Sequence, residues 1–293
     1  MIEVAVLSAT PHLPIYQELV REGDKLGVTV HLWDAMRMVA RLPGGVFLEG
    51  EPLPVTSVPV FLPRVGNFRP ESTLSLVVGL ERLGCVPFNR PEAIRLARDH
   101  FRTIERLACA GIPHPVTVTG SDPEWLSRAA HELGFPVVVK SRRSRQGVGV
   151  IRCASLAELE AVLDVLFRLG EEVVLQRFCP PGGESFRVLV LGGRVLGVTR
   201  HVAKAGEFRT NAARGGVVEP FAEDPELTRL AVAAAAACGL SFCGVDLWRD
   251  GEVLVVGEVN PTPGWKFFAR ATGIPVARHL VEALAFAAAG AEA

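Results

Sequence analysis

The side chains with the clearest chemical potential lie near the C-terminal end of the chain, in apolar segments that carry oxygen ligands. Asp246 stands among apolar neighbours, and Glu258 and Asn260 lie two residues apart in the next apolar segment. Residues two apart on a strand share a face, so the latter two side chains point the same way. Magnesium prefers oxygen ligands and phosphate partners. The three residues therefore predict a magnesium site, and the alternative is a set of polar side chains on an edge strand that faces solvent.

The hairpin that carries these residues sets a condition on the site. A two-residue turn at 250–251 would place Asp246 opposite Val255, and its side chain would then point away from the face of Glu258. All three residues can reach one ion only if the register shifts by one residue. A three-residue loop at 250–252 or a β-bulge in the hairpin would produce that shift.

Two further segments could bind phosphate groups. Lys140 ends a predicted buried strand and precedes a predicted loop at 141–149, which contains three arginines and two glycines. A lysine and backbone N–H groups in this arrangement can hold phosphate oxygens, although the loop is not a Walker A motif. The segment 206–216 adds arginines and an amide that could bind phosphate or carboxylate groups. The alternative for each segment is an ordinary solvated polar loop.

The first third of the chain alternates predicted strands and helices. Such alternation predicts a parallel sheet with helical crossovers. No G-x-G-x-x-G motif opens the first helix, so this lobe is expected to present a substrate rather than a nucleotide. A single helix is predicted over 91–110. The strands are predicted at 3–7, 28–32, 58–64 and 85–89.

The rest of the chain predicts two lobes of mixed helix and strand. We expect domains at 1–97, 98–178 and 179–293, the first an α/β lobe, the second a small α+β lobe and the third an α+β lobe with the metal site. Strands are predicted at 135–140, 150–151, 173–178, 187–191, 194–200, 244–248 and 252–259, and helices at 155–169, 227–238 and 274–289.

Composition excludes several classes of protein. Thirty-one basic and 32 acidic residues give a net charge of −1, which argues against a general nucleic-acid binder. The N-terminal strand pattern lacks the basic flank of a secretion signal, and no apolar stretch reaches the roughly 20 residues of a membrane helix. Six cysteines without a Cys-x-x-Cys pair indicate reduced thiols. We expect a cytoplasmic protein with no membrane or nucleic-acid partner.

Taken together, these segments resemble the ATP-grasp ligases. The likeness is strongest to the ribosomal-protein glutamate ligases of RimK type and to related ligases of lysine biosynthesis and methanopterin cofactors. It extends over nearly the whole chain in order, and the sequence at 244–247 followed by Glu-Val-Asn-Pro-Thr-Pro-Gly at 258–264 is especially specific. The segments that carry it are 95–100, 135–150, 176–178, 184–190, 207–216 and 244–264.

The resemblance implies an ATP-grasp fold that binds ATP and magnesium, with manganese as an alternative metal. It implies that Asp246, Glu258 and Asn260 hold the metal. It also implies that Arg187, Arg209, Asn211 and Arg214 line the region of phosphate and acyl transfer. The residues implied to contact the nucleotide are His100, Lys140, Gln146, Gly147, Gly149, Gln176, Arg177, Phe178, Glu184 and Ser185.

The chain departs from the family pattern at three nucleotide positions. His100 stands where the family has a second phosphate-contacting lysine, Arg177 where it has glutamate, and Ser185 where it has an aspartate for the ribose. Glu184 is a candidate to replace that aspartate, and the arginines at 141–149 are candidates to replace the lysine charge. The metal-binding residues keep the family pattern.

The implied reaction joins a carboxylate to an amine. Transfer of the γ-phosphoryl group to a carboxylate would give an acyl phosphate, which an amine then attacks to form an amide. L-glutamate is the favoured amine, and the acceptor is a small molecule or a protein C-terminus. The alternatives are a different small-molecule amine and a nucleotide-sensing protein without turnover. The resemblance further implies a homo-oligomer. Because an acyl phosphate hydrolyses easily, we expect the lobe at 135–178 to close over the site as a lid. Trp265, Phe267 and Phe268 either stack on an acceptor or pack in the core, and packing is favoured.

Overall fold

The computed structural model describes residues 2–55, 57–66, 68–145, 148–180, 182–210 and 215–291. Within these ranges the chain forms four sheets and the helices that cover them. Among the described helices, none combines the length and the apolarity needed to cross a membrane. All six cysteines are unpaired, and five of them are buried.

The N-terminal lobe contains the predicted parallel sheet. Its strands lie in the order β2-β1-β6-β7, and every pairing within it is parallel. A small antiparallel sheet of three short strands (β3 to β5) is inserted before β6, and the sequence analysis did not predict it. The elements are β1 (Ile2–Ser8), α1 (Pro14–Leu26), β2 (Val28–Asp34), β3 (Met38–Arg41), β4 (Gly45–Leu48), β5 (Glu51–Pro52), β6 (Val60–Arg64), α2 (Pro70–Arg82), β7 (Val86–Pro87) and α3 (Pro91–Ala97).

The single helix predicted over 91–110 is wrong, because the chain forms two helices there. The first is α3, and the second is α4 (His100–Cys109). Between them Asp99 adopts an extended conformation and accepts a hydrogen bond from the backbone N–H of Arg102 at 3.1 Å, so it caps α4. The buried Asp99 carboxylate also lies 2.9 Å from Nε of Arg142, which compensates its charge.

The central lobe is a four-stranded antiparallel sheet covered by two helices. Its strand order is β10-β9-β11-β8. The loop predicted at 141–149 is wrong for its described residues, because 141–145 belong to β9 and 148–149 belong to β10. The two strands pair, with an irregularity between Val148 and Val150. Strand β9 also pairs with β11 on its other side. The elements are β8 (Thr117–Thr119), α5 (Pro123–Leu133), β9 (Val137–Arg145), β10 (Val148–Cys153), α6 (Leu156–Arg168) and β11 (Val173–Arg177).

The C-terminal lobe is built on a five-stranded antiparallel sheet. Its strand order is β14-β13-β12-β15-β16. One face packs on α7, α3 and α4 in a single apolar core. The elements are β12 (Glu184–Leu191), β13 (Arg194–Val202), β14 (Val217–Phe221), α7 (Pro225–Ala237), β15 (Phe242–Asp250), β16 (Val253–Asn260), α8 (Lys266–Thr272) and α9 (Val276–Ala291).

The last helix returns to the beginning of the chain. Helix α9 packs on α1, β1 and β6, and its buried residues belong to the same core as those of the N-terminal sheet. Trp265 and Phe268 lie in this core, which confirms the packing interpretation for both, whereas Phe267 is half exposed. Asn89 adds a polar connection, because its side chain bonds the backbone of Phe242 at 2.7 Å and of Pro261 at 3.2 Å.

Candidate active site

Three charged side chains form a row across the C-terminal sheet. Arg187 on β12 is directly opposite Asp246 on β15, and Asp246 is directly opposite Glu258 on β16. Residues in direct cross-strand register share a face, so the two predicted metal ligands point the same way. Asn260 lies two residues beyond Glu258 and shares that face by register. The predicted carboxylate pair is therefore brought together.

A β-bulge produces this register. It is one of the two alternatives that the sequence analysis offered for the register shift. Asp250 pairs with Val253, so the turn has two residues and the three-residue loop is wrong. Leu247 pairs with Val256, but Asp246 pairs with Glu258, which leaves Gly257 as the extra residue. The bulge moves Glu258 onto the face of Asp246.

Gly257 is required by the packing of Trp248. A Cβ atom at position 257 would overlap the Trp248 indole ring. The ring centroid of Trp248 lies 5.5 Å from Nζ of Lys140, so the indole forms part of the wall beside that lysine. Sequence reasoning missed both residues; the glycine inside an otherwise apolar strand was the available signal.

Gly257→Ala is expected to lower the free energy of unfolding by about 1–3 kcal/mol, because the indole must move from its packed position. The comparison is Gly264→Ala, where an added Cβ meets no atom within 4 Å. Urea denaturation of both variants and the wild type measures the difference. Equal stability of the two variants would contradict the packing argument.

The charges in this row affect the pKa values of Arg187 and Glu258. Nε and Nη2 of Arg187 donate to the two carboxylate oxygens of Asp246 at 2.7 and 2.5 Å. Burial alone would lower the pKa of Arg187, but the Asp246 charge and these bonds raise it above its ordinary value. Enclosure by protein atoms, followed by the Asp246 charge, raises the pKa of Glu258, and Arg187 and Lys140 oppose that rise. A carboxylate pair with this balance is suited to bind an additional cation.

Lys140 is buried and faces the same site. Its Nζ donates to Oε1 of Gln176 at 2.7 Å, and Nε2 of Gln176 donates to the Thr117 hydroxyl at 3.0 Å. Burial lowers the pKa of Lys140, and the charge of Glu258 opposes that effect. These two hydrogen bonds hold the Lys140 ammonium group in one position on the central sheet.

A cavity of about 330 Å³ lies between the central sheet and the C-terminal sheet. Its volume falls in the range typical of small-molecule sites. The predicted site residues that line it are His100, Lys140, Gln176, Arg177, Phe178, Glu184, Ser185, Arg209, Asp246 and Glu258. The lining residues that the prediction did not include are Val138, Val150, Cys179, Gly182, Gly183, Phe186, Phe208, Thr210, Trp248 and Arg249.

The other predicted residues have different positions. Arg187 lies behind Asp246, and Gly149 lies at the irregularity of β10 with a positive φ of 72°. The Asn260 side-chain oxygen accepts a bond from the backbone N–H of Thr262 at 2.8 Å, which fixes the turn after β16. Four predicted residues lie outside the described ranges, namely Gln146, Gly147, Asn211 and Arg214.

The structure shows the surroundings of the three residues that depart from the family pattern, Arg177, Ser185 and His100. Arg177 forms an ion pair with Asp250 on the C-terminal hairpin. The hydroxyl groups of Ser185 and Thr210 are 2.6 Å apart. His100 lines the cavity from the first turn of α4. Arg177 thus connects the central lobe to the C-terminal hairpin.

Two further ion pairs lie at the rim of the cavity. Glu184 pairs with Arg200 at 2.7 Å, and Arg209 pairs with Glu207 at 2.6 Å. Hydrogen bonding to Arg209 lowers the pKa of Glu207 to about 2. Nη1 of Arg209 also donates to the backbone carbonyl of Val150 at 3.3 Å, which joins the segment before β14 to the central lobe.

His201 is a buried residue of the same sheet that the sequence analysis did not identify. Burial, followed by the charge of Arg187, lowers its pKa to about 4. Its Nε2 lies 3.0 Å from the hydroxyl of Thr199, which is opposite Arg187 in the sheet. The neutral imidazole therefore packs behind the charged row.

His201 is expected to make stability depend on acid pH. Its pKa is depressed in the folded protein, so its contribution is present above the unfolded value near 6.5 and is lost as the pH falls toward about 4. His201→Gln should therefore lose less unfolding free energy than wild type over that interval. Urea titrations at several pH values test this, with the exposed His131→Gln as control; parallel wild-type and His201→Gln curves would contradict it.

The donor set fits a hard divalent cation. Among the described residues, no group of three or more His, Cys, Asp or Glu side chains is arranged to hold a metal ion. The predicted set has two carboxylates and one amide, all oxygen donors beside a cavity, and magnesium commonly completes such a set with phosphate oxygens and water. Burial and the neighbouring Asp246 charge raise the pKa of Glu258, and a bound cation would favour its charged form.

Comparison with known proteins agrees with this geometry. A family model described as a RimK-like ATP-grasp domain matches residues 97–284. A probable alpha-L-glutamate ligase of Thioalkalivibrio sulfidiphilus is 32% identical over 284 residues, covering 95% of this chain and 94% of that protein. Its counterpart in Marinomonas sp. is 30% identical over 285 residues, covering 96% and 94%.

The fold is also shared with solved structures. The structure of the ATP-grasp ligase PsnB complexed with a minimal precursor gives a TM-score of 0.75 at 21% identity, covering 98% of this chain and 99% of that one. The expected fold class and the resemblance are thereby confirmed. The chain belongs to the RimK-like ATP-grasp family of ligases.

Proposed function

We propose that this ligase is an ATP-dependent carboxylate–amine ligase that works through an acyl phosphate. The observation that carries the proposal is the row of Arg187, Asp246 and Glu258 across the C-terminal sheet. The two carboxylates of this row line the cavity, and Lys140 lines it from the facing lobe. This arrangement supplies fixed positive charge and metal-binding carboxylates in one enclosed volume. Phosphoryl transfer depends on such positioning and charge stabilisation more than on acid–base groups.

Each part of the site has a proposed role. Asp246, Glu258 and Asn260 would hold magnesium, or manganese in its place, which supplies charge neutralisation at the phosphates when bound. Lys140 donates to phosphate oxygens from a position fixed by Gln176. The backbone at 177–178 borders the cavity and is proposed to contact the base, while Glu184 and Ser185 are placed for the ribose.

The predicted lid at 135–178 is proposed to exclude water from the acyl phosphate. Two contacts support this role because they join the lobe to the C-terminal part: the Arg177–Asp250 ion pair and the bond from Arg209 to Val150. Crystal structures with and without a nucleotide analogue test it. Identical positions of the central lobe in both would contradict lid movement.

L-glutamate is the proposed amine, because the relatives that align over nearly the whole chain are named probable alpha-L-glutamate ligases. The proposed acceptor is a carboxylate of a small molecule or of a protein C-terminus. We propose a cytoplasmic homo-oligomer with domains at 1–97, 98–178 and 179–293. The mass of the assembly in solution by light scattering tests the oligomeric state, and a monomer at micromolar concentration would contradict it.

The deciding experiment measures ADP release from Mg-ATP with L-glutamate, a small-molecule extract as the source of acceptor, and mass spectrometry of the products. Wild type is compared with Glu258→Ala. Glutamate-dependent ADP release that the variant lacks, with an acceptor that gains a glutamyl unit, supports the proposal. Mg-ATP binding without turnover, either with the extract or with purified protein acceptors, would contradict it and favour a nucleotide-sensing role.

A further inference from the structure

The carboxyl edge of the N-terminal parallel sheet contains a buried arginine, and no described residue forms an ion pair with it. Arg64 is the last residue of β6 and is only 4% exposed. No carboxylate of the described residues forms an ion pair with it; its Nη2 donates to the Pro263 carbonyl at 2.8 Å, and its Nε lies 3.5 Å from the Tyr16 hydroxyl. Burying a guanidinium without a counter-charge is costly.

Two donors at this edge are unsatisfied. Among described side chains, Nη1 of Arg64 and Nε1 of Trp265 are the buried nitrogen or oxygen atoms that have no hydrogen-bond partner. Cζ of Arg64 lies 5.0 Å from the ring centroid of Trp265, so both donors belong to one region. Each lacks an acceptor, and an anion would supply acceptor atoms and compensating charge together.

The topology of the N-terminal sheet favours ligand binding at this edge. The strand order β2-β1-β6-β7 reverses between β1 and β6, and ligands of open parallel sheets bind in the crevice at such a switch point. Ser8, the last residue of β1, is the register partner of Arg64 at the carboxyl end of the β1–β6 ladder. The first turn of α1 contributes Tyr16, and α1 has no side-chain N-cap, so its positive end remains uncompensated.

The crevice adjoins the proposed catalytic site. Arg64 bonds Pro263, and the hydroxyl of Thr262 donates to the carbonyl of Val65 at 3.3 Å. These turn residues directly follow Asn260, whose side chain bonds the backbone of Thr262. An anionic ligand at Arg64 would therefore lie beside the segment that ends in the metal ligands.

We propose that Arg64, with Trp265 and the carboxyl ends of β1 and β6, forms a binding site for a substrate carboxylate. This inference rests on the proposed ligase function, because a carboxylate–amine ligase handles carboxylate-bearing substrates. The group held here is a binding handle rather than the reacting carboxylate. A planar carboxylate matches the fork of a guanidinium and accepts from two donors at once.

The test uses full-length protein and thermal unfolding, with L-glutamate or succinate titrated without nucleotide at constant ionic strength. We expect wild type to be stabilised by at least one of these carboxylates. Arg64→Met should raise the half-saturating concentration at least about tenfold, as expected for loss of a charge-assisted bond. Arg64→Lys keeps the charge and should give a smaller increase. Arg82→Met, an exposed arginine of the same lobe, should behave as wild type.

Several results would overturn the site. The first is that neither carboxylate stabilises the wild type against thermal unfolding. The second is that carboxylates stabilise Arg64→Met or Arg64→Lys as they stabilise the wild type. The third is that inorganic phosphate stabilises the wild type more than either carboxylate does. A separate titration with Mg-ADP distinguishes the two proposals. If Mg-ADP does not stabilise the wild type, the proposed nucleotide-dependent function is contradicted. If Mg-ADP stabilises the wild type but neither carboxylate does, only this inference is contradicted.

Discussion

Glu258→Gln is expected to lower ATP-dependent turnover by about 10³-fold, because metal-mediated charge stabilisation contributes several kcal/mol to phosphoryl transfer. Glu258 is directly opposite Asp246, so the substitution removes one of two carboxylates that would share the ion. Glutamine keeps the size of the side chain and removes its charge. Initial rates of ADP formation over a range of Mg²⁺ concentrations measure the effect, and the apparent affinity for Mg²⁺ should fall as well.

Folding controls separate this effect from a loss of structure. The pKa of Glu258 is raised in the folded protein, so its contribution to stability is greatest below the ordinary glutamate value and is lost as the pH rises. Metal-free Glu258→Gln should therefore be at least as stable as metal-free wild type at neutral pH. Glu252→Gln changes an exposed acid in the turn of the same hairpin and should retain full activity. Near-normal turnover by Glu258→Gln would contradict the proposed metal-binding role of this carboxylate.

Lys140→Met is the second substitution with a large expected effect, a loss of about 10²–10³ in kcat/KM for ATP, comparable with removal of one fixed electrostatic donor. The ammonium group is buried and bonded to Gln176, so its position depends on the pairing of β9 with β11. Methionine fills a similar volume without the charge. Steady-state kinetics and calorimetric titration with Mg-ADP measure the change.

Lys204→Met is the matched control for that experiment, because Lys204 is exposed and lies outside the cavity lining. Its kinetics should equal those of wild type. Loss of one buried charge should leave the fold of Lys140→Met intact, which circular dichroism and the unfolding midpoint check. A folded Lys140→Met protein with unchanged affinity for Mg-ADP would contradict a phosphate-binding role for this lysine.

The periodic parts of the fold were predictable from sequence, whereas features that depend on distant partners were not. Alternating apolar strands and helices predicted the parallel sheet, and ligand spacing predicted a register shift in the hairpin. The break at Asp99 escaped prediction because the capping carboxylate is compensated by Arg142, 43 residues away. The bulge was not located, although Gly257 inside an apolar strand was a signal for it, because its position also depends on the packing of Trp248 over Gly257.

The predicted loop at 141–149 shows the same limit. Its arginines and glycines do not form an apolar strand pattern. Its backbone nevertheless pairs with β10 through Arg145 and with β11 through Ser141. Most of the lining residues that were named in advance are charged or polar, such as Lys140, Asp246 and Glu258. The apolar walls, including Val138 and Phe186, have no sequence signal that separates them from ordinary core.

The return of α9 to the N-terminal sheet determines which fragments of the chain can exist alone. Val276, Leu280 and Leu284 are fully buried against a core that also contains Val4 and Leu19. A fragment that begins after residue 97 would expose this helix face to water and is expected to aggregate. The first and last helices are also neighbours, because α1 contacts α9. Joining the ends with a linker and opening the chain at an exposed turn elsewhere should therefore preserve the native core, so circular permutation is a better route to minimal variants than truncation.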